Sequence, residues 1–206
     1  MIPERLVLAT ANRGKIVELG DLVADWGPVA VTALDAFPGV CCPEETGESY
    51  EENAVAKAIA AVKGTGLPAL GDDSGLEVEV LGGAPGLRSA RWAGASATDA
   101  DRIAKLLEAL RAVAVPARGA RFRCVVALAW PDGGVVTAAG ECAGMVAQAP
   151  RGTGGFGYDP VFIATELGRT FGEASADEKR RLSHRARAVR ALGRRLATLH
   201  AGAGPC

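Results

Sequence analysis

Apolar positions along the chain switch between two periods. Residues 5–9 are a short β-branched and leucine-rich run, and after Thr10-Ala11-Asn12-Arg13-Gly14-Lys15 the apolar residues recur at Ile16, Leu19, Leu22 and Val23, the spacing of one helix face. The pattern predicts a strand, a loop and a helix. A second strand is expected around residues 29–32, followed by a loop over residues 38–47. Ser49 and Glu52 then form a capping box for a helix with Val55, Ile59 and Val62 as its buried stripe. Asn53 and Lys57, four residues apart, share another face of that helix. Residues 67–70 make a short buried strand, Gly71-Asp72-Asp73-Ser74-Gly75 an acidic turn leaving it, and residues 76–80 an alternating run.

In the second half, Thr98 and Asp101 cap a helix with Ile103, Leu106, Leu107 and Leu110 on its core face. Two strand-like runs, residues 121–130 and 135–142, flank the hairpin turn Pro131-Asp132-Gly133-Gly134. A glycine-rich loop with two aromatics follows over residues 152–160. Ser175 and Glu178 form another capping box, and a cap at Ser183 places His184 and Arg185 in a new first turn, with Val189, Leu192, Leu196 and Leu199 facing inward. Strands alternating with helices, plus one hairpin, predict an α/β protein with a mixed sheet. There is no repeat and no splitting linker, so the 206 residues are expected to form one domain with two lobes.

Composition narrows the partners. A net charge of -1 gives no bulk attraction to nucleic acid, and the arginines from Arg180 to Arg195 fall on an amphipathic helix as its solvated face. No apolar run reaches the length of a membrane span. Five cysteines, Cys41, Cys42, Cys124, Cys142 and Cys206, form an odd set without Cys-x-x-Cys, and the start lacks a signal-peptide pattern; we expect reduced thiols in a cytoplasmic protein. With only His184 and His200 as histidines, any metal is expected on carboxylates.

The candidate chemistry then falls into three groups. Asp72 and Asp73 between glycines suit a hard cation such as Mg²⁺, although the same residues also make an ordinary turn. Glu44 and Glu45 are candidates for the same metal. Lys15, at a helix start that offers free amides, and Lys57 suit phosphate, the alternative for each being a solvated lysine. The glycines around Phe156 and Tyr158 allow backbone and ring to approach a flat ligand.

Taken together, Thr10-Ala11-Asn12-Arg13-Gly14-Lys15, Glu44-Glu45-Thr46-Gly47, Glu52-Asn53-Ala54-x-x-Lys57, Asp72-Asp73-Ser74-Gly75-Leu76, Gly154-Gly155-Phe156-Gly157-Tyr158-Asp159-Pro160 and Ser183-His184-Arg185 closely resemble the inosine/xanthosine triphosphate pyrophosphatases, in that family's order and over nearly the whole chain. Ala11 departs from the glycine frequent there, which matters only where the backbone needs a positive φ.

The resemblance implies an elongated mixed β-sheet flanked by helices, with two lobes enclosing a central nucleotide cleft, and a Mg²⁺-dependent homodimer. The implied activity is hydrolysis of deaminated purine nucleoside triphosphates (ITP, dITP, XTP) to the monophosphate and pyrophosphate. It implies Asp73 as catalytic acid/base and metal ligand, supported by Asp72, with Glu44 as a further metal ligand ahead of Glu45. The segment from Thr10 to Lys15 with Lys57, Ser74 and Lys179 would hold the phosphates. Phe156, Gly157, Tyr158 and Asp159 would line the base pocket, where His184 and Arg185 donate to the keto oxygen. Pyrophosphatases of modified pyrimidine nucleotides and a non-catalytic nucleotide sensor are the competing readings.

Overall fold

The computed structural model describes residues 2–202. Cys206 and the end of the Ala/Gly-rich tail lie outside the described residues. Strands β1 (Arg5–Leu8), β2 (Ala30–Ala33), β3 (Ala69–Val78), β4 (Gly119–Ala129), β5 (Val135–Val146), β6 (Phe162–Ala164) and β7 (Arg169–Thr170) form one sheet in the order β2-β1-β3-β4-β5-β6-β7. Its helices are α1 (Arg13–Val23), α2 (Tyr50–Thr65), α3 (Asp99–Ala109), α4 (Ala176–Leu182) and α5 (His184–Gly202). β1 is parallel to β2 and to β3, whereas β6 is antiparallel to β5 and β7. The protein is therefore α/β with a mixed sheet flanked by helices. Among the described residues no helix is long and apolar enough to cross a membrane.

The chain forms two compact units, the first from the described residues up to 73, 124–140 and from 185 on, the second from 74–123 and 141–184. In the first unit β1 is buried on both faces, so its apolar run is continuous rather than alternating with polar residues. Leu6 and Leu8 pack with Leu19, Leu22 and Val23 of α1 and with Val189, Leu192 and Leu196 of α5. Val7 and Ala9 pack on the other side with Ala69 and with Ala61 of α2. In the second unit Leu76, Ile103, Leu106 and Phe122 surround Phe162 and Phe171, with the Phe122 and Phe162 ring centroids 4.5 Å apart. The capping boxes at Thr98/Asp101 and Ser175/Glu178 are both formed.

Several elements differ from the sequence expectation. The acidic pentapeptide is not a turn: residues 71–75 lie inside the ten-residue β3. Neither Gly71 nor Gly75 has a positive φ. Gly71 is demanded by proximity instead, because a Cβ there would lie 2.2 Å from the Ala54 carbonyl oxygen of α2. That close approach also explains the inner face of α2, which is Asn53, Ala54, Lys57, Ala58 and Ala61, with Val55, Ile59 and Val62 only partly buried. Small residues let the helix settle onto the strand where branched ones would hold it off. At its start Ser49 accepts the Glu52 amide, but the Glu52 carboxylate turns to the Glu48 amide, so only half of the expected capping box exists. On α5 the buried stripe ends at Leu196, and Leu199 is 55% exposed.

Gly71→Ala tests the helix contact. We expect a loss of about 3 kcal/mol, the upper end of overpacking costs, because the obstructing atoms are backbone; an unchanged urea midpoint would show that α2 does not press on β3.

Candidate functional site

Consecutive strand residues point to opposite faces, so placing Asp72 and Asp73 within β3 sends their side chains apart. Asp72 faces α1 and α5. Its carboxylate is fully buried, with Lys15 Nζ 3.1 Å from Oδ1 and Arg185 Nε 3.2 Å from Oδ2. Arg185 is itself 1% exposed and also binds the Glu18 carboxylate of α1. Lys15 is brought here by the loop before it. The Asn12 side chain caps the helix by accepting the Lys15 amide at 3.1 Å, and Thr10 Oγ1 accepts the Asn12 amide at 3.2 Å. No non-glycine residue among those described has a positive φ, so the methyl group of Ala11 is accommodated. Arg13 is exposed at the helix start, and Gly14 is partly buried beside it.

Asp73 faces α2. Its Oδ2 accepts from Asn53 Nδ2 at 2.9 Å and its Oδ1 from Lys57 Nζ at 3.1 Å. Lys57 is buried rather than solvated, and its ammonium also donates to the Asp72 carbonyl at 3.0 Å and to Glu45. Asn53 is oriented from the other side by the Gly47 amide, which donates to its Oδ1 at 2.8 Å. Glu45 rather than Glu44 therefore joins this cluster, while the Glu44 side chain is exposed. Asn53 and Glu18 are the members to which motif reading gave no role in the site, and Glu45 is the one it ranked behind Glu44. The four-residue spacing of Asn53 and Lys57 was the available signal for one of them. Ser74 is partly buried at the next position of β3. Cys41 is exposed and Cys42 half-buried, both as free thiols.

The charges separate the two carboxylates. Burial opposes ionisation of Asp72, but Lys15, Arg185 and Lys57 together outweigh it and hold the group well below the ordinary carboxylate range. For Asp73 burial prevails: Lys57 and Asn53 favour the anion, Glu45 repels it, and the carboxyl is raised. Lys57 is raised as well, since Asp73, Asp72 and Glu45 overcome its own burial. The two shifts are compatible because a single ammonium is shared between Asp73 and Glu45, so each anion feels the other.

The second unit holds the aromatic loop. The Phe156 amide donates to Asp159 Oδ2 at 2.8 Å, and the Gly157 amide to Asp99 Oδ2 at 2.6 Å. Asp159 is buried and ion-paired with Lys179, whose ammonium stands 4.7 Å from the Phe156 ring centroid. Tyr158 is buried and donates to the Ser89 carbonyl at 3.0 Å. His184 is buried and stacks on Phe122, with centroids 4.6 Å apart and planes 14° from parallel. Of the expected phosphate lysines, Lys15 and Lys57 belong to the carboxylate cluster of the first unit, and Lys179 belongs here with Asp159. Arg185 is the residue after His184, but its guanidinium is held by Asp72 and Glu18.

Among the described residues no group of three or more His, Cys, Asp or Glu side chains gathers around a common point. A fully protein-built metal cage is thus not part of the site. The donor set does fit Mg²⁺, which takes one or two carboxylates and completes its shell with water and phosphate oxygens. Each Asp73 oxygen accepts one hydrogen bond and retains a lone pair, and Glu45 stands across Lys57 from it.

Comparison with known proteins agrees with the motif order. The profile of the Ham1 family matches residues 6–195. The chain belongs to the Ham1 family. It is 48% identical over 189 residues to the dITP/XTP pyrophosphatase of Streptomyces coelicolor, covering 91% of this chain and 94% of that one. It is 50% identical over 187 residues to the dITP/XTP pyrophosphatase of Gloeobacter violaceus, covering 91% of each. A HAM1 protein of known structure from Coxiella burnetii superposes with a TM-score of 0.83 at 42% identity, covering 94% of this chain and 98% of that one.

The Asp72–Arg185 pair yields a stability prediction. Arg185→Met leaves two buried or partly buried carboxylates without their shared cation and should cost about 3–5 kcal/mol in chemical denaturation. Because Asp72 is depressed when folded, its contribution is complete above the ordinary carboxylate value of about 3.9 and is lost as pH falls toward the folded pKa. In metal-free buffer the gap between wild type and variant should therefore narrow on acidification; a gap that widens would contradict the pairing.

Proposed function

We infer that this Ham1 protein is a nucleoside triphosphate pyrophosphatase that hydrolyses deaminated purine nucleoside triphosphates, dITP, ITP and XTP, to the monophosphate and pyrophosphate. The observation that carries the reading is the cluster of Asp73 on β3 with Lys57 and Asn53 on α2, a raised carboxylate held between an ammonium and an amide. The names of relatives near half identical over nine-tenths of the chain support the substrate class.

In this reading the α-phosphorus is attacked by water. A proton passes from the water to Asp73, the bond from phosphorus to the bridging oxygen breaks, and pyrophosphate leaves. Catalysis is then mostly positioning and charge neutralisation. Lys15 and Lys57 supply positive charge, with the amides of the segment from Thr10 to Gly14 at the start of α1. A raised Asp73 is the better proton acceptor near neutral pH. Mg²⁺, when bound, would neutralise phosphate oxygens, and Asp73 would hold it with one of the two glutamates. Glu44 is the one the family resemblance names, and Glu45 is the one beside Lys57. Asp72 would act by holding β3 and Lys15 in place.

Phe156 offers its ring to the purine, Gly157 and Tyr158 shape its loop, and Asp159 and Lys179 fix it. His184 is the donor for the 6-keto oxygen. Arg185 enters through the orientation of Asp72. An adenine amino group would leave such a donor unpaired, at about 1–3 kcal/mol per group, which works against ATP. A homodimer and a cytoplasmic setting belong to the same proposal, the latter supported by the free thiols of Cys41, Cys42, Cys124 and Cys142.

Two measurements test the reading. With Mg²⁺ present, dITP, ITP and XTP should each release pyrophosphate, with little from ATP, GTP or dCTP; release mainly from a pyrimidine nucleotide would overturn the base assignment, and orthophosphate as the product would overturn the point of attack. Asp73→Asn preserves shape and an acceptor for Asn53, so it should fold with wild-type cooperativity and lose about 10²–10⁴-fold in kcat. A variant retaining most of its turnover would remove Asp73 from the chemistry.

A further inference from the structure

Asp99 has no part in the chemistry above, yet it touches the loop that carries Phe156. It is the first residue of α3, and its Oδ2 accepts the Gly157 amide at 2.6 Å across 58 residues of sequence. Its other oxygen is paired with Arg102, whose guanidinium also donates to the Ala97 carbonyl at 2.6 Å, so the carboxylate is aimed from behind. The Phe156 amide, one residue earlier, is held by Asp159. The peptide groups before and after the Phe156 Cα are therefore each hydrogen-bonded to a carboxylate. Those two planes define φ and ψ of Phe156 and with them the direction of its side chain.

Gly155 and Gly157 on either side have φ of +73° and +63°, a conformation the chain does not adopt without glycine, so the loop needs outside fixation to keep one shape. Beside the Asp99 bond, α3 and the loop face each other across a groove lined by Ala100, Ile103, Ala104 and Leu107 on the helix side and by Gly154 and Phe156 on the loop side. A carboxylate acceptor makes a stronger bond than a neutral one.

We propose that Asp99 is a positioning residue for base recognition: by holding the Gly157 amide it fixes the Phe156 ring in the orientation that stacks on the purine. The inference rests on the reading of Phe156 as the stacking surface.

The test is steady-state kinetics with dITP on Asp99→Ala, Asp99→Asn and Phe156→Ala, together with hydrogen exchange of the peptide containing Gly157. Loss of a charge-assisted bond should raise KM about tenfold in Asp99→Ala with kcat within about twofold, and speed exchange at Gly157. Asp99→Asn, whose amide oxygen can still accept, should return KM to within about threefold of wild type. A raised KM in Phe156→Ala with unchanged KM and exchange in Asp99→Ala would overturn the role of Asp99 alone. Unchanged KM in Phe156→Ala would defeat the stacking reading and the inference with it. An equal fall in kcat for both Asp99 variants, without recovery in Asn, would mean a structural carboxylate rather than a positioning one.

Discussion

A carboxylate removed entirely from water must be met by cations, and Asp72 is such a group at the middle of the first unit. Its two oxygens draw in the ammonium of Lys15 from the start of α1 and the guanidinium of Arg185 from the start of α5. Glu18 completes the arrangement by binding Arg185, so α1 touches the same arginine twice over, directly and through Asp72. The entry points of both helices onto β3 are thereby fixed by charge, while their apolar stripes fix the rest. Residues near both ends of the described chain contribute, since α1 is its first helix and α5 its last.

Strand geometry carries that constraint to the next residue. With Asp72 committed to one face, Asp73 must project to the other, where α2 lies close enough to forbid a side chain at Gly71. The alanines that permit the approach also bring Asn53 and Lys57 of the same face within hydrogen-bond reach. A helix held off by branched residues would leave Asp73 to solvent and its pKa ordinary. The site is thus a consequence of packing distance as much as of residue identity.

The longer strands, the helices and both complete capping boxes were legible in the sequence because periodicity and caps are local signals, whereas β6 and β7, three and two residues long, are too short to carry a period. What escaped were features decided by distance between segments. The pentapeptide around Asp72 has turn composition, yet it continues a strand whose first residues pair with β1 and that lies between β1 and β4 in the sheet and packs beneath α2 at Gly71. The apolar Val55, Ile59 and Val62 suggested a stripe by hydrophobicity, but contact with a glycine on a strand selects small residues instead. Lys179 was grouped with the phosphate lysines through the family resemblance, and its contacts with Asp159 and the Phe156 ring join segments 20 or more residues apart, which no local signal marks. Glu44 and Glu45 are equivalent by composition; which of them turns toward Lys57 depends on the backbone of the loop.

Counting acids near a site says little about which of them can act; what already occupies their oxygens says more. Asp72 faces two full cations and is held as an anion of low basicity. Asp159 has an amide and an ammonium, and Asp99 an amide and a guanidinium, so both serve to fix backbone. Asp73 has a neutral amide on one oxygen and, on the other, an ammonium that Glu45 also claims. Its negative charge is only partly compensated, and burial outweighs what compensation there is, which is why its carboxyl is pushed upward. A carboxylate so placed gains from taking a proton or from meeting a cation. Those are the two acts that hydrolysis of a metal-bound triphosphate asks of it.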